Sequence, residues 1–210
     1  DANIIIICVN TEPDKHGRLD FRNLLGVIDI LDRCSYSGEV VIRSTLPMHD
    51  ELLNSLENDF SFGLYVLPEF LREGSALTDL LSSTNTIIGY QKNSPRCNLV
   101  ETLFDFKGCQ VHNMLIREAI FTKLLNNTWH ALKVAFSNEW RGVAKDNGIE
   151  DYNTIYRAFI SDTHLNVSEK YLRPGGPYGG PCLPKDIGEF SALAKSDPAF
   201  ICNSTIKANN

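Results

Sequence analysis

The chain has 210 residues, of which 43% are hydrophobic, and a formal net charge of −6 with an isoelectric point near 5.4. This length can bury the core of one large domain or two small ones. The acidic balance argues against a nucleic-acid partner, and no apolar run approaches the roughly 20 residues that a membrane-spanning helix needs.

The six cysteines are scattered and never occur in CxxC spacing. This argues against a zinc site and against a disulfide framework, so we expect no metal and a reducing, cytoplasmic environment. The first residues lack the basic region of a signal peptide. Because the chain opens directly into an apolar run, we also expect that the natural protein extends upstream.

Four short apolar, β-branched runs predict strands buried on both faces of a parallel sheet. The runs are 3–9, 39–45, 62–67 and 86–89. Helical spacing predicts helices at 21–34 and 49–59, so the order favours the remainder of a doubly wound, Rossmann-like α/β sheet. Since residues 90–110 lack a pattern, we expect the sheet to end before them.

Polar side chains follow three of these strands, at Thr11, at Ser44–Thr45, and at Glu69 and Glu73. Ligands of parallel sheets bind beyond the carboxyl ends of strands, which places these side chains where a ligand would lie. Thr11 could equally cap its own turn. The two glutamates could serve as a base and a ligand contact, or could form the acid-rich first turn of a helix.

A long helix is predicted from Met114 to Asn147, and with it a second, all-helical domain over residues 111–210 that follows the sheet domain at 1–110. Four of its polar residues share one broad face, namely Lys123, Asn127, His130 and Asn138. Leucines on either side predict packing, so such a polar face is costly unless something pairs with it. A bound polar ligand and a solvated helix face both remain open.

The stretch from Tyr171 to Asp186 concentrates glycine and proline around Cys182. Glycine permits turns and close approach to a ligand, and a nearby cation such as Lys185 favours a reactive thiolate. A surface turn with an ordinary cysteine is the alternative. Helices are predicted on both sides of the stretch, at 151–160 and 186–194.

Taken in order, these motifs resemble the UDP-glucose/GDP-mannose 6-dehydrogenases, and most closely the GDP-mannose type. The resemblance rests on seven segments spread over nearly all of the chain. They are Val9-Asn-Thr11, Ser44-Thr-Leu-Pro47, Pro68-Glu-Phe-Leu-Arg-Glu-Gly74, the helix segment 123–139, Leu165-Asn-Val-Ser168, Tyr171-Leu-Arg-Pro-Gly175 and Gly179-Gly-Pro-Cys-Leu-Pro-Lys-Asp186.

The resemblance implies an NAD-dependent, four-electron oxidation of a nucleotide-sugar C6 alcohol to a uronic acid, through a thiohemiacetal and a thioester on Cys182, in polysaccharide precursor synthesis. Lys123 and Asn127 would steady the oxyanion, Asp186 and Thr45 would hold the water, and Glu69 would act as base. The implied cofactor contacts are Thr11, Thr45 and Lys185. The implied substrate contacts are Glu73, Lys123, Asn127, His130, Asn138, Tyr171, Arg173 and Gly176. A homodimer through the long helix is expected.

The sequence departs from the family pattern at its start, because no GxGxxG loop for the NAD pyrophosphate occurs in these 210 residues. We therefore expect this chain alone not to turn over. Two other functions are open. A two-electron β-hydroxyacid dehydrogenase shares the Lys-x3-Asn helix but needs no Cys182. A non-catalytic dimerisation module, such as a degenerate homologue, would account for the missing loop.

Overall fold

The structure is a computed structural model that describes residues 2–15, 18–71, 74–93, 98–104, 109–168, 177–180, 183–192 and 200–209. Within the helix at 183–192, the side chains of residues 185, 186, 190 and 192 are not described. Two compact units divide the chain, one of residues 1–127 and one of residues 128–210.

The first unit is built on a five-stranded sheet whose spatial order follows the sequence. Its strands are β1 (Ile4–Ile7), β2 (Glu39–Ile42), β3 (Gly63–Val66), β4 (Asn85–Tyr90) and β5 (Gln110–Leu115). β1, β2 and β3 are parallel, β4 is antiparallel to β3, and β5 is parallel to β4. The predicted Rossmann-like α/β class is thereby confirmed.

Three details of the sequence prediction are wrong. The sheet continues into β5, because pairing with all six residues of β4 stabilises a strand that has little apolar pattern of its own. The β3–β4 pair is antiparallel rather than parallel. β1 is an edge strand among the described residues and not buried on both faces, since Ile6 is 46% exposed.

Eight helices lie in the described parts of the chain. They are α1 (Arg22–Arg33), α2 (Asp50–Leu56), α3 (Ala76–Leu81), α4 (Asn98–Phe104), α5 (Ile116–Asp146), α6 (Tyr152–Ser161), α7 (Leu183–Ala192) and α8 (Phe200–Asn209). α3 and α4 were not expected from the sequence. α5 begins two residues later than predicted because residues 114 and 115 belong to β5, and α7 begins three residues earlier.

Alternate residues of the central strands point to opposite faces of the sheet, as a period of two requires. Val40, Ile42 and Val66 join a core cluster with α1, α2 and the first turns of α5. Val41 and Tyr65 join a second cluster with α4. Both faces of the sheet are therefore covered, which explains why these strands are uniformly apolar.

Gly89 on β4 lets α5 approach the sheet closely. A Cβ built at this position would lie 2.7 Å from the Ala119 Cβ and 3.1 Å from both the Ile116 Cα and the Val66 carbonyl oxygen. Only hydrogen fits in that space. The start of α5 therefore lies directly against β4, and this contact sets the position of Lys123 one turn later.

The second unit consists of the later part of α5 with α6, α7 and α8. Val143 and Ala144 are buried, and an apolar cavity of about 250 Å³ lies between α5 and α6. α7 and α8 are joined by a hydrogen bond of 2.7 Å from the Ser191 hydroxyl to the side-chain amide oxygen (Oδ1) of Asn203. Among the described residues, no helix is both long and apolar enough to cross a bilayer.

Replacing Gly89 with alanine tests the close packing of α5. Overpacking of this kind costs about 1–3 kcal/mol, so G89A is expected to lower the free energy of unfolding in urea by that amount. G142A is the matched control, because no atom lies within 4 Å of a Cβ at that helical position and alanine favours helix. Equal stability of G89A and wild type would contradict the packing described.

Candidate active site

Lys123 is the most buried charged residue in the described part of the chain, at 5% exposure. Its Nζ lies 3.0 Å from the Glu69 Oε1 and also donates a hydrogen bond to the Glu69 backbone carbonyl. The ammonium group lies 5.3 Å from the centre of the Phe70 ring. The charge of Lys123 is thus compensated by a carboxylate, a carbonyl and an aromatic face, which is what a buried cation requires.

Two elements bring Lys123 and Glu69 together. β3 ends at Val66, and the segment Leu67-Pro68 carries the chain beyond the carboxyl edge of the sheet to Glu69. α5 lies against Gly89 of β4 at Ala119, and Lys123 follows one turn later, about 6 Å further along the helix axis. The close approach at Gly89 therefore places Lys123 at the height of Glu69.

Glu69 is held as a carboxylate. Burial by itself raises the pKa of its carboxyl group, but the Leu71 N–H at 2.7 Å and the Lys123 ammonium, together with the charges of Lys123 and Arg43, outweigh burial and leave this pKa below its ordinary value. A lowered pKa means that Glu69 is ionised at neutral pH and is a weak base in this arrangement.

The ends of β1 and β2 are joined by their hydroxyl side chains. The Thr11 hydroxyl donates to the Thr45 carbonyl oxygen over 2.7 Å, and the Ser44 hydroxyl donates to the Val9 carbonyl oxygen over 2.6 Å. The prediction that two strand ends meet at one edge is consistent with this geometry. The hydrogen bond from Thr11 also gives this residue a structural role, because the Thr11 hydroxyl proton holds the loop after β2.

Arg43, at the end of β2, was not selected from the sequence. Its guanidinium lies 5.3 Å from the centre of the Phe104 ring, and it lines a cavity of about 50 Å³ that Glu69 and Phe70 also line. Burial lowers the pKa of Arg43, and the charge of Glu69 partly offsets this effect. A basic residue directly before Ser44-Thr45, at the end of a buried strand, is the signal that could have revealed it.

The remaining predicted site residues fall into two groups. Asn127, His130 and Asn138 are exposed on α5, so the predicted polar face is mostly solvated in this chain, with Lys123 as the buried exception. Of the leucines expected to pack beside that face, Leu124 is partly buried against the core of the first unit, whereas Leu125 and Leu132 are 56% and 45% exposed. The other group lies outside the described residues and consists of Glu73, Tyr171, Arg173, Gly176 and Cys182, with the side chains of Lys185 and Asp186.

Two regions of the chain match known protein domains. Residues 1–106 match the NAD binding domain, and residues 117–210 match the central domain, of the UDP-glucose/GDP-mannose dehydrogenase family. The sequence is 32% identical over 208 residues to the GDP-mannose 6-dehydrogenase of Pseudomonas putida, covering 93% of this chain and 47% of that protein. It is 36% identical over 220 residues to the GDP-mannose 6-dehydrogenase of Azotobacter vinelandii, covering 92% and 47%.

A solved structure shares the fold. The crystal structure of a ternary complex of GDP-mannose dehydrogenase from Pseudomonas aeruginosa matches with a TM-score of 0.84 and 29% sequence identity, covering 100% of this chain and 51% of that chain. The present chain thus spans about half the length of the relatives that it matches.

The lowered pKa of Glu69 predicts a pH dependence of stability. Above the ordinary glutamate pKa of 4.5 the carboxyl group is ionised in both the folded and unfolded chain, and its stabilising contribution is complete. As pH falls below that value the unfolded chain takes up the proton first, so the contribution is lost. Urea unfolding of E69Q is therefore expected to lose less stability than wild type on acidification below pH 4.5.

E57Q is the control for this comparison. Glu57 is exposed at the end of α2 and has no ion-pair partner among the described residues. Its replacement should leave the acid limb of the stability curve unchanged. If E69Q and wild type lose stability in parallel, Glu69 does not have the lowered pKa that its contacts imply.

Proposed function

Because the chain belongs to the UDP-glucose/GDP-mannose dehydrogenase family, we propose that it is part of an NAD-dependent oxidoreductase that converts the C6 alcohol of a nucleotide sugar to a carboxylate. The observation that carries this proposal is the buried Lys123–Glu69 pair beyond the carboxyl end of β3. A cation and a carboxylate at that edge supply the two charges that alcohol oxidation and thioester hydrolysis need. A nucleotide uronic acid made in this way would serve as a polysaccharide precursor.

The substrate proposed is GDP-mannose, with UDP-glucose as the alternative. The two relatives described above carry the name GDP-mannose 6-dehydrogenase, and the runs Asn127-Thr-Trp-His130 and Tyr171-Leu-Arg-Pro-Gly175 favour that type. The sugar nucleotide would be held by polar groups from α5 and from the Gly/Pro stretch. These are Glu73, Lys123, Asn127, His130, Asn138, Tyr171, Arg173 and Gly176.

NAD is the cofactor of the domain that residues 1–106 match. The residues at the carboxyl edge of the sheet could bind part of this cofactor. The Thr45 hydroxyl is half-buried at the carboxyl edge and makes no hydrogen bond among the described residues, so it can bind a polar group of a dinucleotide. Thr11 and Lys185 would add contacts, and the bound cofactor supplies the hydride acceptor for both oxidation steps.

Cys182 is proposed as the nucleophile. Once the alcohol has become an aldehyde, the Cys182 thiolate adds to its carbonyl carbon and forms a thiohemiacetal, which becomes a thioester when the second hydride leaves. Water, held by Asp186 and Thr45, then attacks the thioester carbonyl, releases the carboxylic acid and restores the thiolate. The Lys123 ammonium and the Asn127 amide would stabilise the negative oxygen that develops in these steps.

The Lys123–Glu69 contact supports a division of labour between the two residues. While the ammonium is held by Glu69, the carboxylate is a weak base. When a developing oxyanion draws Lys123 away, Glu69 loses its cationic partner and its pKa rises. Glu69 would then become basic enough to take a proton from the attacking water, so hydrolysis would follow formation of the thioester.

The reaction class can be separated from a two-electron β-hydroxyacid dehydrogenase by its stoichiometry. A four-electron oxidation releases two NADH per sugar, and a two-electron oxidation releases one.

We also propose a cytoplasmic location for the protein, and a cofactor domain that ends near residue 110. The matched regions 1–106 and 117–210 lie on either side of that boundary, although β5 extends the sheet to Leu115.

A homodimer through α5 is proposed from its exposed apolar stripe. Leu125, Trp129 and Leu132 are spaced four and three residues apart, which places them on one face, and all three are at least 40% exposed. A helix of 31 residues, about 46 Å long, offers a second copy a long apolar surface. This surface also favours the non-catalytic dimerisation module as the second candidate function.

The C182S variant of the intact protein tests the nucleophile. Acid production is expected to fall by about three orders of magnitude or more, because serine forms no comparable thioester intermediate. C34S is the control, since Cys34 is an exposed free cysteine at the end of α1. Unchanged acid production by C182S, or one NADH per sugar in wild type, would refute the proposed chemistry.

Replacing Leu132 with aspartate tests the dimer. A charge on the apolar face of α5 is expected to convert the intact protein from dimer to monomer in sedimentation velocity. L77D is the control, because Leu77 is an exposed leucine on α3, away from α5 in the chain. A wild-type protein that sediments as a monomer, or a dimeric L132D, would contradict this interface.

A further inference from the structure

Helix α8 makes hydrogen bonds at both ends with other parts of the second unit. At its start, the two carboxylate oxygens of Glu139 on α5 accept hydrogen bonds from the Ile201 N–H at 2.7 Å and the Cys202 N–H at 3.2 Å. Unpaired N–H groups at the first turn of a helix favour such an anionic acceptor. Glu139 therefore fixes the position of α8 relative to the later part of α5.

Cys202 lies within the same arrangement. Burial first, and the hydrogen bond and charge of Glu139 second, raise the pKa of the Cys202 thiol to about 11. This thiol therefore stays protonated at neutral pH and is a poor nucleophile. It contributes packing to α8, and it should be clearly distinguishable from a reactive cysteine elsewhere in the chain.

At the other end of α8, the Asn209 side chain binds the backbone of Tyr178 at two points. The Tyr178 N–H donates to the Asn209 Oδ1 over 2.7 Å, and the Asn209 Nδ2 donates to the Tyr178 carbonyl oxygen over 2.9 Å. A side-chain amide can do this because it carries a donor and an acceptor side by side. It occupies both backbone hydrogen-bonding groups of a residue that belongs to no helix or strand.

Tyr178 occupies a critical place in the sequence. Gly179 and Gly180 follow it, and Gly180 has a φ of +79°, a left-handed turn that favours glycine. Cys182 comes four residues after Tyr178, and α7 begins directly after Cys182. Tyr178 thus has an anchored backbone four residues before the proposed nucleophile in the sequence.

We propose that Asn209 is a positioning residue that fixes the backbone of Tyr178, four residues before Cys182 in the chain, an inference that rests on the proposed function. Asn209 does not contact the reacting atoms in this role. It acts through the Tyr178 backbone, and Glu139 secures the helix from which it reaches. The chain of contacts runs from Glu139 through α8 to the backbone of Tyr178.

This clamp matters because each covalent step requires the thiolate to meet a carbonyl carbon at bonding distance. A displacement of about 1 Å at a reacting group can lower a rate about 100-fold. A loop of glycines and prolines has few side chains with which to fix its own position, so anchoring from outside is needed.

The variants N209A and N209D in the intact protein test the clamp. N209A removes both hydrogen bonds, and N209D keeps the shape but places a carboxylate oxygen against the Tyr178 carbonyl oxygen. Both are expected to lower kcat by about 10- to 100-fold, with KM for NAD unchanged. If Asn209 only fills space, N209D should behave as wild type and N209A alone should be impaired, which would overturn the proposal.

T205A is the matched control. It removes a hydrogen bond within α8, from the Thr205 hydroxyl to the Ile201 carbonyl, that does not reach the loop. The rate of alkylation of Cys182 by iodoacetamide, followed by mass spectrometry of its peptide, should change in N209A and N209D but not in T205A. Equal kcat and alkylation rates in N209A and T205A would refute the clamp.

Two further measurements keep the outcomes separate. Hydrogen exchange of the wild-type protein should show a protected Tyr178 amide, and rapid exchange there would overturn the clamp even if N209A failed to fold. An active C182S enzyme would refute the proposed function. If C182S is inactive while N209A is fully active, only the clamp fails.

Discussion

The close approach of α5 to the sheet at Gly89 governs the geometry of the first unit. Because Gly89 has only a hydrogen atom as its side chain, Ile116 and Ala119 of α5 can lie directly against β4. One helical turn later, Lys123 reaches the segment after β3 and finds the Glu69 carboxylate, the Glu69 carbonyl and the Phe70 ring. A buried ammonium group is stable only with such compensation, so the packing of a glycine and the placement of a charge depend on each other.

The direction of the strands explains why this helix reaches that edge of the sheet. β4 and β5 run opposite to β1, β2 and β3, and the end of β5 lies at the height of Tyr65 within β3. α5 therefore begins at the level of a residue within β3 and runs toward the carboxyl end of that strand. At the same edge, the Thr11 and Ser44 hydroxyls join the loops after β1 and β2. Three strand ends and one helix thus present their polar groups together, as the ligand sites of open α/β sheets do.

In the second unit, side chains bind backbone groups near both ends of α8. The Glu139 carboxylate accepts from two N–H groups at the start of α8, and the Asn209 amide binds the backbone of Tyr178. Backbone groups outside helices and strands, and the N–H groups of a helix's first turn, need partners, and an amide and a carboxylate from helices provide them here. The proposed chemistry places one demand on each unit, a compensated cation in the first and a positioned thiol in the second.

The amino-acid sequence by itself determined the apolar runs of β1 to β4, the long helix, the α/β class and, through its motifs, the family. Such features depend on periodicity and on residue types close together in the chain. Only the tertiary structure decided that β4 runs antiparallel to β3, that β5 joins the sheet, that Lys123 pairs with a residue 54 positions away, and that Asn209 holds one 31 positions away. The physical reason is that strand pairing and the compensation of buried charge are settled between distant segments, where local pattern carries no information.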